Sequence, residues 1–254
     1  MAKIVVFDSG LGSLSIIKAI QKTSKSEIIY FADQQNYPYG NKSKAQLSKI
    51  IQSSIRMLQK EFSPDITVVA SNTPSIILDM SIKKIIDVKP PLKDARKISK
   101  TKQIGILATK SAINSKGLTQ YIKKNNFPKN FKIFKINGSD LVELVESGKF
   151  ISNKKYCQNI IKKNLDEIIL QNNIDTITLS STHLPFLKIL LKKQYPKISF
   201  IDPADIVAKK VFSKIKNKQN KRNMLKIFAT GNVKTFQTKL NKMGINNKVI
   251  FLSS

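Results

Sequence analysis

The feature that most constrains the fold is a regular alternation of short apolar runs with longer amphipathic segments along the 254-residue chain. Short apolar runs predict buried strands, and apolar residues at three- and four-residue spacing, as in 43–62 and 155–172, predict helices. Strands that alternate with helices indicate α/β units around a mainly parallel sheet. The predicted strands are 3–7, 27–32, 66–70, 103–108, 131–136, 176–180, 198–201 and 225–229.

The chain also contains a weak internal repeat. Asp65 opens the run D-I-T-V-V-A, which leads to Ser71, and Asp175 opens the run D-T-I-T-L-S, which leads to Ser181. Each run is typical of a buried strand that ends in small polar residues. Ligands of parallel α/β sheets bind at the carboxyl ends of strands. The sequence therefore predicts two similar parallel-sheet α/β domains with a cleft between them, and Pro90 followed by Pro91 marks a boundary.

The bulk composition narrows the class of protein. A hydrophobic content of 41% suffices for one large core or two smaller ones. No apolar run approaches the ~20 residues of a membrane span, and no signal-peptide pattern precedes the first strand. Cys157 is the single cysteine, which excludes an internal disulfide framework. We expect a cytoplasmic protein without a membrane partner.

The net charge of +29 comes from 45 basic and 16 acidic residues. Such an excess attracts phosphate backbones. Nearly all of it is lysine spread along the whole chain, whereas arginine is the preferred residue for bidentate phosphate recognition. We therefore expect only non-specific binding to nucleic acid at low salt. The best local case for a dedicated acidic partner is 209–226, which has eight basic residues and no acidic one.

Two further segments are candidate turns, and the first of them allows two interpretations. Asp8 and Ser9 begin a glycine-bearing turn after the first strand, which suits either an anion site or a helix cap. The turn is a poor dinucleotide fingerprint, because Ser15 occupies the position of the third glycine. Pro38 and Tyr39 lie in a short turn segment that alone indicates only a loop.

The segments 71–73 and 181–183 place hydroxyl, amide and imidazole groups after buried strands. Such groups can hold a carboxylate through several hydrogen bonds. His183 is the only histidine, and a lone histidine is more often structural than catalytic. Glu143 and Glu146 lie on a short helical stretch, where glutamates are ordinarily solvated. A serine hydrolase is disfavoured, because no G-x-S-x-G elbow occurs and nothing in the spacing of Ser181 and His183 places a base on the nucleophile.

Taken together and in this order, the segments resemble the glutamate racemase family over residues 3–205. The histidine in the last segment makes the chain resemble the glutamate racemases rather than the aspartate racemases, which are similar to them in fold. The segments that carry the resemblance are I-V-V-F-D-S-G at 4–10, Y-F-A-D at 30–33 with P-Y-G at 38–40, A-S-N-T at 70–73, G-I-L-A-T at 105–109, L-V-E-S-G at 144–148 and S-T-H-L-P at 181–185.

The resemblance implies two α/β domains, residues 1–92 plus 206–254 and residues 93–205. It implies no pyridoxal phosphate and no metal: one cysteine removes the α-proton of glutamate and a second reprotonates the opposite face. Here Ser71 and Ser181 stand at the two cysteine positions. By the same match Asp8 assists position 71, while Glu146 and His183 assist position 181. The residues implied to bind glutamate are Ser9, Pro38, Tyr39, Gly40, Asn72, Thr73, Thr109 and Thr182.

The serines are the main departure from the family pattern. A cysteine titrates near ~8.5 and can be shifted lower, whereas a serine hydroxyl is far less acidic and a poor acceptor for a carbon-bound proton. Further departures at Pro74, Ala112 and Leu184 favour serines that arose naturally over serines introduced to silence an enzyme. The sequence leaves open a racemase that supplies D-glutamate for peptidoglycan, different chemistry on a related carboxylate, and a basic binding protein. It also leaves homodimer formation open.

Overall fold

A computed structural model of the chain describes residues 2–78, 80, 84–218 and 220–253. Within these ranges there are ten strands, and the bounds of eight of them follow the predicted apolar runs closely. They are β1 (Lys3–Asp8), β2 (Glu27–Ala32), β3 (Ile66–Val69), β4 (Ile85–Asp87), β5 (Gln103–Ala108), β6 (Lys132–Asn137), β7 (Thr176–Leu179), β8 (Ser199–Ile201), β9 (Met224–Ala229) and β10 (Val249–Phe251).

Helices alternate with these strands, as the amphipathic segments predict, and four short 3₁₀ segments occur at Gln34–Asn36, Tyr39–Asn41, Leu184–Leu187 and Lys216–Lys218. The helices of the described residues are α1 (Ser13–Thr23), α2 (Lys44–Phe62), α3 (Asn72–Ile77), α4 (Leu92–Ile98), α5 (Lys110–Ile113), α6 (Lys116–Lys124), α7 (Ser139–Glu146), α8 (Lys149–Ser152), α9 (Lys154–Asn172), α10 (Lys188–Gln194), α11 (Ala204–Ile215) and α12 (Val233–Lys242).

The chain divides into two compact units, one formed by 1–88 with 204–254 and the other by 89–203. The first unit contains a six-stranded sheet in the order β10-β9-β2-β1-β3-β4, and every neighbouring pair is parallel. Its central strands are buried on both faces, so their side chains are almost uninterruptedly apolar. Helix α2 packs Leu47, Ile51 and Leu58 into the core on one face of this sheet.

The second unit contains a four-stranded sheet in the order β6-β5-β7-β8, again with parallel pairs only. Its main core contains Leu107 and Ile177 of the sheet together with Leu144 of α7 and Ile161 of α9. The four strands have the same order, counted along the chain, as β2-β1-β3-β4 of the first unit. The predicted fold class of two similar parallel-sheet α/β domains is therefore confirmed.

Two strands are absent from the sequence prediction. Both β4 and β10 have three residues, and both lie at an edge of the first sheet. In β10 the side chains of Ile250 and Phe251 are 45% and 57% exposed. A short edge strand is held by backbone pairing to one neighbour and does not need a long buried run, so its apolar pattern is weak. No helix in the described part of the chain is long and apolar enough to cross a membrane.

Candidate functional site

The polar residues predicted in the first unit gather at the carboxyl edge of its sheet. Asp8 ends β1, and its carbonyl accepts a hydrogen bond from the backbone N–H of Asp33, which follows β2 (2.8 Å). On the other side the N–H of Ala70 donates to the carbonyl of Phe7 (2.8 Å), so Ser71 emerges beside the end of β1. The parallel register thus brings three side chains from distant segments to one edge of the sheet.

The turn after β1 is buried. Asp8 is 1% exposed and Ser9 is 4% exposed, and the backbone N–H of Ser9 donates to Oδ1 of Asp8 (2.7 Å). The hydroxyl of Tyr30 donates to the carbonyl of Gly10 (2.7 Å), which fixes the turn against β2. The capping residue of α1 is Gly12, which supplies no side-chain hydrogen bond. The carboxylate of Asp8 is therefore held by its own turn.

Tyr39 belongs to a network that the sequence did not indicate. Its hydroxyl donates to Oδ2 of Asp33 (3.0 Å), and the same carboxylate accepts hydrogen bonds from Asn36 Nδ2 and Thr230 Oγ1. Burial raises the pKa of Tyr39 well above its usual value, and the charges of Asp33 and Asp8 raise it further. Burial also raises the pKa of Asp33. Tyr39 is thus a neutral donor whose hydroxyl is committed to Asp33, while Pro38 and Gly40 flank it half-buried.

The segment after β3 is buried and partly committed to the fold. The Asn72 side-chain amide donates to the carbonyl of Val88 (3.0 Å), and the hydroxyl of Ser75 bridges the Ser71 carbonyl and the Val88 N–H (2.7 and 3.1 Å). Thr73 is 6% exposed in the first turn of α3. The side chain of Ser71 does not cap α3, and its hydroxyl has no hydrogen-bond partner in the described part of the chain.

In the second unit Thr109 and Ser181 follow neighbouring strands β5 and β7. The N–H of Ser180 donates to the carbonyl of Leu107 (2.8 Å), which fixes the exit of β7 beside that of β5. Thr109 caps helix α5, because its Oγ1 accepts from the N–H of Ala112 (3.4 Å). The Thr109 hydroxyl predicted to bind substrate therefore also has a local structural role.

Three predicted residues of the second unit form one hydrogen-bonded chain. His183 Nε2 lies 2.8 Å from Oε1 of Glu146, and His183 Nδ1 lies 3.5 Å from Oγ of Ser181. All three are nearly inaccessible, with exposures of 6% for His183, 3% for Glu146 and 6% for Ser181. The expectation of a solvated Glu146 is wrong, because α7 ends with this carboxylate directed at the imidazole.

The same contacts overturn the expectation that nothing places a base near Ser181. The two residues are separated by Thr182 alone, and the turn that follows β7 brings the side chains together, because the N–H of Leu184 donates to the carbonyl of Ser181 (3.0 Å). Thr182 itself is 2% exposed. Within the described ranges no three or more histidine, cysteine, aspartate and glutamate side chains cluster in a way that could hold a metal ion.

Comparisons with known proteins relate the chain to the glutamate racemases. None of the protein-family profiles matches the chain. A glutamate racemase from Buchnera aphidicola subsp. Schizaphis graminum is 34% identical over 230 residues, which cover 87% of this chain and 88% of that protein. The solved glutamate racemase of Francisella tularensis in complex with D-glutamate is 25% identical, with a TM-score of 0.80 over 99% of this chain and 96% of that one. A glutamate racemase isoform from Bacillus anthracis, at 24% identity, shares the fold with a TM-score of 0.84 over 99% of this chain and 97% of that one.

Proposed function

Because the chain belongs to the glutamate racemase family, we propose that it is an isomerase that binds glutamate and interconverts its L and D forms. The reaction needs no cofactor in this proposal, and its product supplies D-glutamate for peptidoglycan precursors in the cytoplasm. Support comes from the relative that is 34% identical over nearly the whole chain and from the related structure that contains D-glutamate.

The observation that carries the proposal is the correspondence between the two sheets. Ser71 follows β3, which pairs with β1, and Ser181 follows β7, which pairs with β5 in the same relative position. Racemisation needs one group to remove the α-proton and another to return a proton on the opposite face. Two equivalent strand ends, one per unit, can supply such a pair. We predict that Ser71 and Ser181 face the same substrate molecule.

Position 181 has the better support for proton transfer. In this proposal Glu146 holds His183, and His183 accepts the proton of the group at 181. At position 71 the assisting group is Asp8, at the end of the neighbouring strand. The remaining proposed contacts to glutamate are Ser9, Pro38, Tyr39, Gly40, Asn72, Thr73, Thr109 and Thr182.

The two serines lower the activity in this proposal. Proton transfer is most efficient when the pKa of the catalytic group lies near the working pH. A thiol with a pKa near ~8.5 satisfies that condition after a modest shift, whereas an alcohol does not. Ser71 and Ser181 retain the shape of the site but remove its two thiols, so we expect slow racemisation or none by the unmodified chain.

The test is to restore both thiols. We expect Ser71→Cys combined with Ser181→Cys to raise the rate of racemisation by at least about 10²-fold, the usual contribution of a positioned acid–base group. Circular dichroism of L-glutamate and of D-glutamate measures the rate in each direction. Each single variant should racemise slowly, because the opposite face still lacks an acid.

Exchange of the α-hydrogen in deuterated water, followed by NMR, separates the two positions. We expect Ser181→Cys to exchange L-glutamate and Ser71→Cys to exchange D-glutamate, since one competent base suffices for exchange. Cys157 is buried in the core of the second unit and provides no competing thiol. A folded double variant that binds glutamate but neither exchanges nor racemises it would refute the proposal, and rapid racemisation by the unmodified chain would refute the role given to the serines.

A further inference from the structure

The second unit contains a hydroxyl–imidazole–carboxylate chain that racemisation does not require in this form. We propose that Ser181 is a nucleophile activated by His183 and Glu146. Small activated carboxylic esters acylate it, and water then hydrolyses the acyl-serine. This activity is independent of the proposed racemisation, because it removes no proton from carbon and involves only residues of the second unit.

The contacts of His183 favour the tautomer that the reaction needs. The carboxylate of Glu146 lies 2.8 Å from Nε2, so the neutral imidazole carries its proton on Nε2 and donates it to Glu146. The lone pair of Nδ1 then faces the Ser181 hydroxyl at 3.5 Å. A serine, an imidazole base and a carboxylate that orients the base are recognised as a triad by geometry and role, in any chain order. Contacts of this kind are often long without substrate and shorten when it binds.

The chemical step balances with these groups alone. The Ser181 oxygen forms a bond to the carbonyl carbon of the ester while its proton passes to Nδ1 of His183. The carbon–oxygen bond to the alcohol then breaks, and the leaving alkoxide takes that proton. A water molecule next gives a proton to Nδ1 and attacks the acyl carbon, after which the Ser181 oxygen leaves and recovers the proton. Glu146 keeps its charge throughout and stabilises the imidazolium.

Neighbouring serines show why the proposal is specific to position 181. The hydroxyl of Ser180 points into the sheet, where it is 2.9 Å from the hydroxyl of Thr178. Ser71, at the corresponding strand end of the first unit, has no hydrogen-bond partner for its hydroxyl in the described ranges and thus no base in contact. Of these three hydroxyls, only that of Ser181 lies within hydrogen-bond distance of the imidazole.

The burial of the chain limits the substrate. Ser181 and His183 are each only 6% exposed, which leaves little room for a large substrate to reach the hydroxyl. Acetyl and similarly short acyl groups fit that restriction better than long chains. The leaving group must be a weakly basic alcohol, because the imidazolium of His183 is a weak acid and gives limited assistance to its departure.

The experiment uses the full chain and two probes, p-nitrophenyl acetate for turnover and an alkyl fluorophosphonate for covalent labelling. The fluorophosphonate discriminates against the many lysines, since it requires an activated hydroxyl. We expect one phosphonyl group per chain, located at Ser181 by mass spectrometry, and slower labelling at acidic pH, where a protonated imidazole cannot accept the Ser181 proton. Ser181→Ala should abolish labelling, and His183→Ala should slow it by about 10²-fold or more.

Two further variants separate activation from folding. Ser180→Ala is the matched control, because it removes an adjacent buried serine that is outside the chain of contacts, and its labelling rate should equal that of the unmodified protein. Glu146→Gln keeps the shape but no longer favours the Nε2–H tautomer, so it should slow labelling and shift its pH profile. The proposal would be overturned if Ser181→Ala were still labelled or if the unmodified chain were not labelled. It would also be overturned if His183→Ala, with unchanged circular dichroism, were labelled at the original rate.

Discussion

Ser71 and Ser181 occupy the same place in two sheets of the same strand order, yet their surroundings differ. Ser181 contacts His183, which contacts Glu146, whereas the hydroxyl of Ser71 has no hydrogen-bond partner among the described residues. Around Ser71 the polar groups bind backbone instead: Asn72 donates to a carbonyl and Ser75 bridges two backbone groups. At the first strand end the polar side chains bind backbone groups, whereas at the second they bind one another as a hydroxyl, an imidazole and a carboxylate.

A parallel sheet therefore determines where a reactive group emerges but not how acidic that group is. The position of each serine follows from backbone register with the neighbouring strand. The acid–base partner of Ser181 comes from the end of α7, and Glu146 is 37 residues from His183 along the chain. Reactivity at a strand end is thus supplied by a different element, and it can be present in one unit and absent from the other.

The largest expected effect compares thiols placed at the two positions. We expect the cysteine of Ser181→Cys to react with iodoacetamide at pH 7 at least about tenfold faster than that of Ser71→Cys. His183 can accept the thiol proton and form an ion pair with the thiolate, which lowers a cysteine pKa. At position 71 burial and the nearby carboxylate of Asp8 oppose ionisation. The measurement is the rate of alkylation as a function of pH, for each variant.

The control for this comparison is the unmodified chain, which reports Cys157 alone. Burial raises the pKa of that thiol, so its background rate should be slow. Adding His183→Ala should reduce the rate of the Ser181→Cys protein to that of Ser71→Cys. Equal rates at positions 71 and 181 in otherwise unaltered proteins would contradict the asymmetry described above.

A smaller effect is expected in stability, where the two units again have corresponding carboxylates. Asp175 precedes β7 and accepts hydrogen bonds from the Ser99 hydroxyl and the N–H groups of Lys100 and Thr101 (2.6, 2.6 and 2.9 Å). Asp65 precedes β3, pairs with the exposed Lys218 and accepts one backbone hydrogen bond, from the N–H of Lys3 (3.0 Å). We expect Asp175→Asn to lower the free energy of unfolding by about 1–3 kcal/mol, and Asp65→Asn by at most about 1 kcal/mol.

Urea unfolding at several pH values tests the electrostatic origin of this difference. Burial of Asp175 acts to raise its pKa, but the hydrogen bonds from Ser99 and the backbone outweigh it and the pKa lies below the usual value. A carboxyl group with a lowered folded-state pKa stabilises the fold above its unfolded pKa of about 3.9 and loses that contribution as pH falls through the folded value. The loss of unfolding free energy caused by Asp175→Asn should therefore be largest at pH 7 and shrink below about pH 4. A deficit that is constant with pH would indicate packing instead.

The smallest expected effect concerns the positive charge of each unit. We expect binding to a random-sequence DNA duplex at low salt that disappears near physiological salt, as counterion release predicts. The double variant Lys210→Gln, Lys214→Gln on α11 should bind DNA only slightly more weakly. Its loss of affinity should be no greater than that of the double variant Lys192→Gln, Lys193→Gln on α10. A fluorescence anisotropy titration at several salt concentrations measures both pairs. A much larger loss from the α11 pair, or discrimination between sequences, would instead identify 209–226 as a dedicated binding surface.

Most of the fold could be predicted because its signal is local. Buried parallel strands are apolar almost throughout, so eight of the ten strands are visible as short runs, and only β4 and β10 at the sheet edge are not. Part of the candidate site could be proposed from the sequence, since Asp8, Ser71 and Ser181 follow such runs directly. The network of Tyr39, Asp33 and Thr230 could not be predicted, because Thr230 lies 197 residues from Asp33 along the chain.

Three features can be read from the sequence alone: the alternation of strands and helices, the repeat of the two units and the serines that follow two strands. Each depends on residues close together in the chain. Which strand end lies in contact with an imidazole depends on packing between distant elements. The spacing of Ser181 and His183 leaves their contact undetermined, and Glu146 resembles a solvated helical glutamate until α7 packs beside the turn after β7. The direction of a side chain depends on the packing of elements distant in sequence, so the carboxylate–imidazole–hydroxyl chain exists only in the folded protein.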